Sequence, residues 1–191
     1  MNVSDSHKFI FFHPSRKTGG TSIASALGHV SYDPYKDRHL RPSHAMERMP
    51  VKFAKYYKFA FVRNPWSRLV SCYAYDNLVT KDFQLGGKFH GISFKNYIHE
   101  RFTNGEAHWS CPQVDYLKID GYLVTDFIGR CENMQADFDF VCKAVGLPQI
   151  QLPRHRKTKH KPYQEYYDKE SEEAVRIAFQ RDIDEFEYTF D

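Results

Sequence analysis

The 191-residue sequence predicts an α/β fold, with a central parallel sheet flanked by helices on both faces. Three apolar runs, at 8–13, 57–62 and 122–129, have the length and character of buried strands. A helical pattern follows each run, and strands that alternate with helices pair in parallel. One domain over 1–191, with a single core, is expected at this length.

The elements follow in order. Lys8-Phe9-Ile10-Phe11-Phe12-His13 supplies the first strand. Residues 17–28 hold a glycine-rich loop and a helix of small residues, Ile23-Ala24-Ser25-Ala26-Leu27, that stops at Gly28. Residues 29–55 are polar, carry Pro34, Pro42 and Pro50, and read as loop with a short helix. The strand at 57–62 leads into a helix at 65–76, for which Asn64 suits the N-cap and Pro65 the first position. Trp66, Leu69, Val70 and Tyr73 line one face of that helix. Residues 78–120 read as an insertion broken by Gly86-Gly87, with one short helix around Phe94, Tyr97 and Ile98. Beyond the strand at 122–129, a helix buries Met134, Phe138, Val141, Cys142 and Val145, and Gly146 and Pro148 end it. A last helix starts from Asp168 as N-cap and buries Val175, Ala178, Phe179, Ile183 and Phe186.

Composition excludes several classes. A net charge of +3 argues against a nucleic-acid coat protein, and no nucleic-acid partner is expected. The basic residues cluster instead, with five Lys or Arg in 154–161, a run that suits either a solvated loop or a ligand-facing one. Cys72, Cys111, Cys131 and Cys142 form no C-x-x-C pair; Cys72 and Cys142 fall on apolar helix faces and read as core thiols of a reducing compartment. The apolar run after Lys8 is too short for a signal peptide, and no stretch reaches membrane-spanning length. A soluble, cytoplasmic protein of a bacterium or virus is the expectation. No H-E-x-x-H or paired Cys/His spacing is present, so no metal is expected and full activity should survive a strong chelator.

The chemistry concentrates in Arg16-Lys17-Thr18-Gly19-Gly20-Thr21-Ser22. Strand, glycine-rich turn and helix in that order form an anion cradle, because backbone N–H groups at a helix start point outward. Glycines let the backbone approach the anion, Lys17 adds a full charge, and Thr18, Thr21 and Ser22 add hydroxyls. A nucleoside-triphosphate loop would read G-x-x-x-x-G-K-[ST]; here the lysine precedes the glycines, and no glycine lies between His13 and Lys17. An ordinary strand-to-helix turn rich in Gly and Thr would look much the same, so a second site is needed.

That second site is Phe59-Ala60-Phe61-Val62-Arg63-Asn64-Pro65-Trp66-Ser67-Arg68-Leu69-Val70-Ser71. Arg63 ends a strand, where ligands bind in open α/β sheets. Ser71 lies two turns into the following helix, so both can address one phosphate, with Arg63 as the bidentate partner.

The pair of segments resembles the PAPS-dependent sulfotransferases, in particular the branch with the heparan- and chondroitin-type carbohydrate sulfotransferases. PAPS is 3′-phosphoadenosine 5′-phosphosulfate, and PAP is the desulfated product. Asp126-Phe127-Ile128-Gly129-Arg130-Cys131-Glu132-Asn133 is similar to a further family segment, and Tyr163 to Asp168 and Asp182 to Phe186 are similar to the family's C-terminal helix. His13-Pro14-Ser15-Arg16-Lys17 is one residue longer than the family's His-x-Pro-Lys, which leaves the loop path between Pro14 and Lys17 open.

The resemblance implies a three-layer, P-loop-like fold and sulfuryl transfer from PAPS to an acceptor hydroxyl on a carbohydrate. It implies that Lys17 to Ser22 hold the 5′-phosphosulfate, with Arg16 either an additional anion contact or a surface residue, and that Arg63 and Ser71 hold the 3′-phosphate. It adds Arg130, Lys157 and Lys159 as donor contacts and 78–120 as the acceptor-side insertion. Sulfuryl transfer, like phosphoryl transfer, asks the protein to position reactants and stabilise charge. Lys17 is placed to neutralise the leaving phosphate. Histidine suits the base, and His44 comes first, with His13 at the strand end as runner-up. Gln113, after Pro112, echoes a Pro-Gln of relatives and is a candidate acceptor contact. Phe83, Phe89, Phe94, Tyr97, Phe102, Trp109 and Tyr116 suit either sugar stacking or a core. Competing readings are a small kinase using ATP and magnesium, or a nucleotide-binding module without catalysis.

Overall fold

The computed structural model describes residues 1–28, 40–78, 89–103, 111–153 and 160–191. By its internal contacts the chain divides into two units, Met1–Arg63 with Gln113–His155, and Asn64–Pro112 with Arg156–Asp191.

The first unit holds the central, mostly parallel sheet. Strands β2 (Phe9–Phe12), β3 (Tyr57–Val62) and β6 (Phe127–Arg130) are parallel neighbours in that order. Phe12 pairs with Ala60, and Val62 with Arg130, so all three strands end on one side. Strand β1 (Asn2–Ser4) adds an antiparallel edge to β2 that the sequence pattern does not reveal. Three residues at an edge carry too little alternation to be read.

The helices of this unit are α1 (Gly20–Ala26), α2 (Pro42–Arg48), α3 (Pro50–Lys55) and α6 (Met134–Ala144). Phe9, Phe11, Phe59 and Phe61 pack from one sheet face onto Ile23 of α1 and Phe138, Val141 and Cys142 of α6. Phe11 and Phe59 stack with centroids 4.9 Å apart, and Phe61 meets Phe59 edge-on at 6.4 Å. Truncating one such ring to alanine costs about 3–5 kcal/mol. Gly129 is required there, because a Cβ would run into the Phe61 ring. On the other face Ile10, Phe12, Ala60 and Val62 are buried, and Phe12 meets Phe53 of α3. Helix α6 ends as its sequence predicts. Gly146 turns at φ +70°, Leu147 N–H donates to Cys142 O at 2.8 Å, and Gly146 N–H donates to Lys143 O.

The expected strand at 122–129 is corrected. Tyr122–Leu123 forms β5, which pairs with β4 (Lys118–Ile119) in a small hairpin, and only Phe127–Arg130 joins the main sheet. Asp120 and Gly121 both take positive φ, the requirement of a two-residue hairpin turn.

In the second unit, α4 spans Pro65–Leu78, α5 Phe94–Thr103, α7 Lys169–Ala178 and α8 Gln180–Phe186. Asn64 Oδ1 accepts from the N–H groups of Trp66 and Ser67, the capping that its position predicts. Trp66, Leu69 and Val70 are buried. Asp76, fully buried, accepts from Tyr97 Oη at 2.9 Å and Arg101 Nη2 at 2.7 Å, and the Arg101 guanidinium lies 4.0 Å from the Phe89 ring centroid. Removing one partner of such a buried pair costs far more than the pair contributes.

Phe89, Phe94 and Tyr97 are buried core residues of this unit, the second of the two roles their pattern allows. Phe83 and Trp109 lie outside the described residues. Asp168 caps α7 through a reciprocal pair with Ser171. The single C-terminal helix expected after it is two helices. They meet at Phe179, whose backbone opens to ψ 24° while its ring is buried against Phe102 and the Arg68 guanidinium. Cys72 and Cys142 are buried, and all four cysteines are free thiols. Among the described residues, no helix is long and apolar enough to cross a membrane.

Candidate active site

Parallel pairing brings three strand ends together in the first unit: His13 after β2, Arg63 after β3, and Arg130-Cys131 at the end of β6. The loop from Pro14 to Gly19 leaves β2 and enters α1. It makes a tight turn, in which Thr18 Oγ1 donates to Ser15 O at 3.0 Å with both residues buried. Lys17 follows at φ +64° and Gly19 at φ +76°. A left-handed residue with a Cβ is uncommon, and for lysine it is a local strain. Gly19 then serves as N-cap, its carbonyl accepting from Ile23 N–H at 3.2 Å.

The two glycines have a second reason for being there. A Cβ on Gly19 would overlap the Met134 side chain, with Cys131 Sγ next nearest at 3.8 Å. A Cβ on Gly20 would overlap the His13 imidazole. The His13 ring thus leaves no room for a methyl group at Gly20, while at Gly19 the tip of Met134 would have to shift aside and the positive φ is the stronger requirement for glycine. Ser22 is buried in α1, while Arg16, Lys17 and Thr21 are half-buried.

Arg63 is half-buried, and its Nη1 donates to Lys17 O at 3.4 Å. The guanidinium expected on a separate phosphate therefore stands beside the lysine loop. Arg63's own backbone is held by Gln113, whose Oε1 accepts from Arg63 N–H at 3.0 Å and whose Nε2 donates to Arg63 O at 2.8 Å. Gln113 is fully buried, so the expected acceptor contact is corrected: its amide serves Arg63. Nothing in the sequence pairs two residues 50 apart in this way.

Arg130 N–H donates to Asp137 Oδ2 at 2.6 Å, and Asn133 Nδ2 donates to Asp137 Oδ1 at 2.9 Å, which ties the end of β6 to α6. Burial pushes the Cys131 thiol up to about 12, against the opposing pull of the Arg63 charge, so it stays protonated. His13 is buried, its Nε2 lies 2.6 Å from Asn2 Oδ1, and its ring packs on Phe11 at 4.3 Å. That is a histidine built into the loop's support. His44 is exposed on α2. Just before that helix the Arg41 guanidinium lies over the Tyr116 ring at 5.0 Å.

Lys17, Arg63 and Gln113 are thus brought together, with Arg130 at the adjacent strand end. Ser71 belongs to the second unit and is buried in α4. Lys157 and Lys159 lie outside the described residues. Among the described residues, no group of three or more His, Cys, Asp or Glu gathers as a metal-ligand set.

No solved structure matches. An uncharacterized protein of Archaeoglobus fulgidus is 32% identical over 97 residues, which is 51% of this chain and 73% of that protein. Residues 1–189 match the model of the sulfotransferase family, and the chain belongs to that family.

Proposed function

We propose that the protein transfers the sulfuryl group of PAPS to a hydroxyl of a carbohydrate by in-line displacement. Family membership makes sulfuryl transfer to a hydroxyl-bearing acceptor the reaction class. The observation that carries the finer reading is the meeting of Lys17 and Arg63 at adjacent strand ends, 3.4 Å from Nη1 to the Lys17 carbonyl. Two cations and the hydroxyls of Thr21 and Ser22, gathered on one loop and one strand end, suit a ligand that carries several anionic groups.

Lys17 neutralises the charge that grows on the oxygen between sulfur and the 5′-phosphate as that bond breaks. An ammonium at this point is worth more in the transition state than in the ground state. Arg16, Thr18, Gly19, Gly20, Thr21 and Ser22 line the same loop and hold the 5′ end. Arg63 takes the 3′-phosphate. Ser71, Arg130, Lys157 and Lys159 keep their assignments as donor contacts on the resemblance. His44, solvent-facing on α2, receives the acceptor's proton. The buried His13 supports the loop.

Thermal unfolding with PAP, with ATP and magnesium, and with buffer alone tests the donor class. Ligand at 100 times its Kd adds about 2.7 kcal/mol, or about 5–10 °C for a chain of this size. PAP is expected to stabilise strongly and ATP-magnesium weakly. The reverse order would return the protein to the kinase reading.

A further inference from the structure

Strand β3 makes its last ladder pair at Val62, opposite Arg130. Arg63 is the next residue, at the point where a chain leaving a sheet normally gains freedom. Here it does not. Gln113 offers one acceptor and one donor to the N–H and carbonyl of the same residue, as a neighbouring strand would. Both peptide groups flanking the Arg63 Cα are therefore fixed, and with them the direction in which its side chain leaves the backbone. That side chain reaches the carbonyl of Lys17. Gln113 itself is fully buried, so it acts through Arg63 rather than on a ligand.

We propose that Gln113 is a positioning residue for donor recognition: by clamping the Arg63 backbone it sets where the guanidinium stands beside Lys17, and so sets the preference for a 3′-phosphorylated adenosine nucleotide. Bidentate guanidinium–phosphate contacts are the kind that a small displacement weakens most. The inference rests on the reading of Arg63 as the 3′-phosphate partner, and the experiment separates the two.

Calorimetric titration of PAP and of adenosine 5′-phosphate into the wild type, Gln113→Met and Arg63→Ala gives the ratio of the two affinities for each protein. Methionine keeps the volume and removes both hydrogen bonds. Gln113→Met is expected to lower the PAP preference about tenfold, or about 1.4 kcal/mol, and to leave adenosine 5′-phosphate affinity unchanged. Arg63→Ala is expected to lower the preference further. Equal weakening of both nucleotides by Gln113→Met would mark a general structural role and overturn the inference. An unchanged ratio in Gln113→Met beside a lowered one in Arg63→Ala would overturn it while Arg63 keeps its role. An unchanged ratio in Arg63→Ala would overturn both. Should Gln113→Met fail to fold, Gln113→Asn, whose amide is one methylene short of the Arg63 carbonyl, is measured with the same expectations.

Discussion

Replacing Lys17 separates its conformation from its charge. The residue sits at φ +64°, where a side chain with a Cβ costs roughly 1–2 kcal/mol. Alanine keeps that cost and removes the ammonium. Glycine removes both, and returns about 0.5–1 kcal/mol through the greater entropy of the unfolded chain. Glycine should therefore be the more stable replacement by roughly 0.5–1 kcal/mol, or about 1–4 °C in Tm for a chain of this size. Both variants lose the charge beside the leaving group, and removing one such preorganised group lowers kcat on the order of 10²–10³-fold. Urea unfolding followed by circular dichroism gives the stabilities, and release of PAP gives kcat. Lys17→Ala as stable as Lys17→Gly would show that the left-handed turn stores no strain. Either variant turning over near the wild-type rate would remove Lys17 from the chemistry.

Three further outcomes follow from the same geometry. Gly19→Ala places a Cβ at a positive φ, with the flexible tip of Met134 shifting aside, so urea unfolding should show a loss of about 1–2 kcal/mol, and a difference under about 0.5 kcal/mol would contradict the left-handed turn. His44→Ala should lose at least about a hundredfold in turnover, within the general-base range, while PAP binding measured by calorimetry survives; near-normal turnover would remove His44 from the mechanism. Ser171, through its hydroxyl and its backbone N–H, holds the Asp168 carboxyl at about 2, below the usual value near 4, with Lys95 adding to the effect. A depressed folded value means a contribution fully present above about pH 4 and lost as pH falls toward 2, so Asp168→Asn should flatten the acid limb of the stability profile there. An unchanged acid limb would show that this cap does not titrate with folding.

What was legible in the sequence was local. The strand at 57–62 matches β3 residue for residue, because an apolar run ends against Asn64-Pro65, a cap and a helix start that need no distant partner. The same holds for Asp168 as the N-cap of α7 and for Gly146 after α6. The Asp120-Gly121 dipeptide was a readable hairpin signal before Tyr122, and reading straight through Val124-Thr125-Asp126 merged β5 with β6.

What was not legible depends on contacts between distant residues. The reason for glycine at 19 and 20 includes Met134 and His13, side chains that only folding brings beneath the loop. The clamp of Gln113 on Arg63 joins two elements that share no local pattern. The family's segments marked Lys17 and Arg63 as anion partners. Their placement beside one another required the sheet register that ends β2, β3 and β6 on one side.

The central claim is transfer of sulfur from PAPS to a hydroxyl, and following the sulfur tests it most directly. With [35S]PAPS and a panel of acidic and neutral glycans, label should appear on at least one glycan, in step with PAP release and abolished in Lys17→Ala. Binding of PAP without label on any glycan of the panel would contradict the account and leave a nucleotide-binding module without this activity.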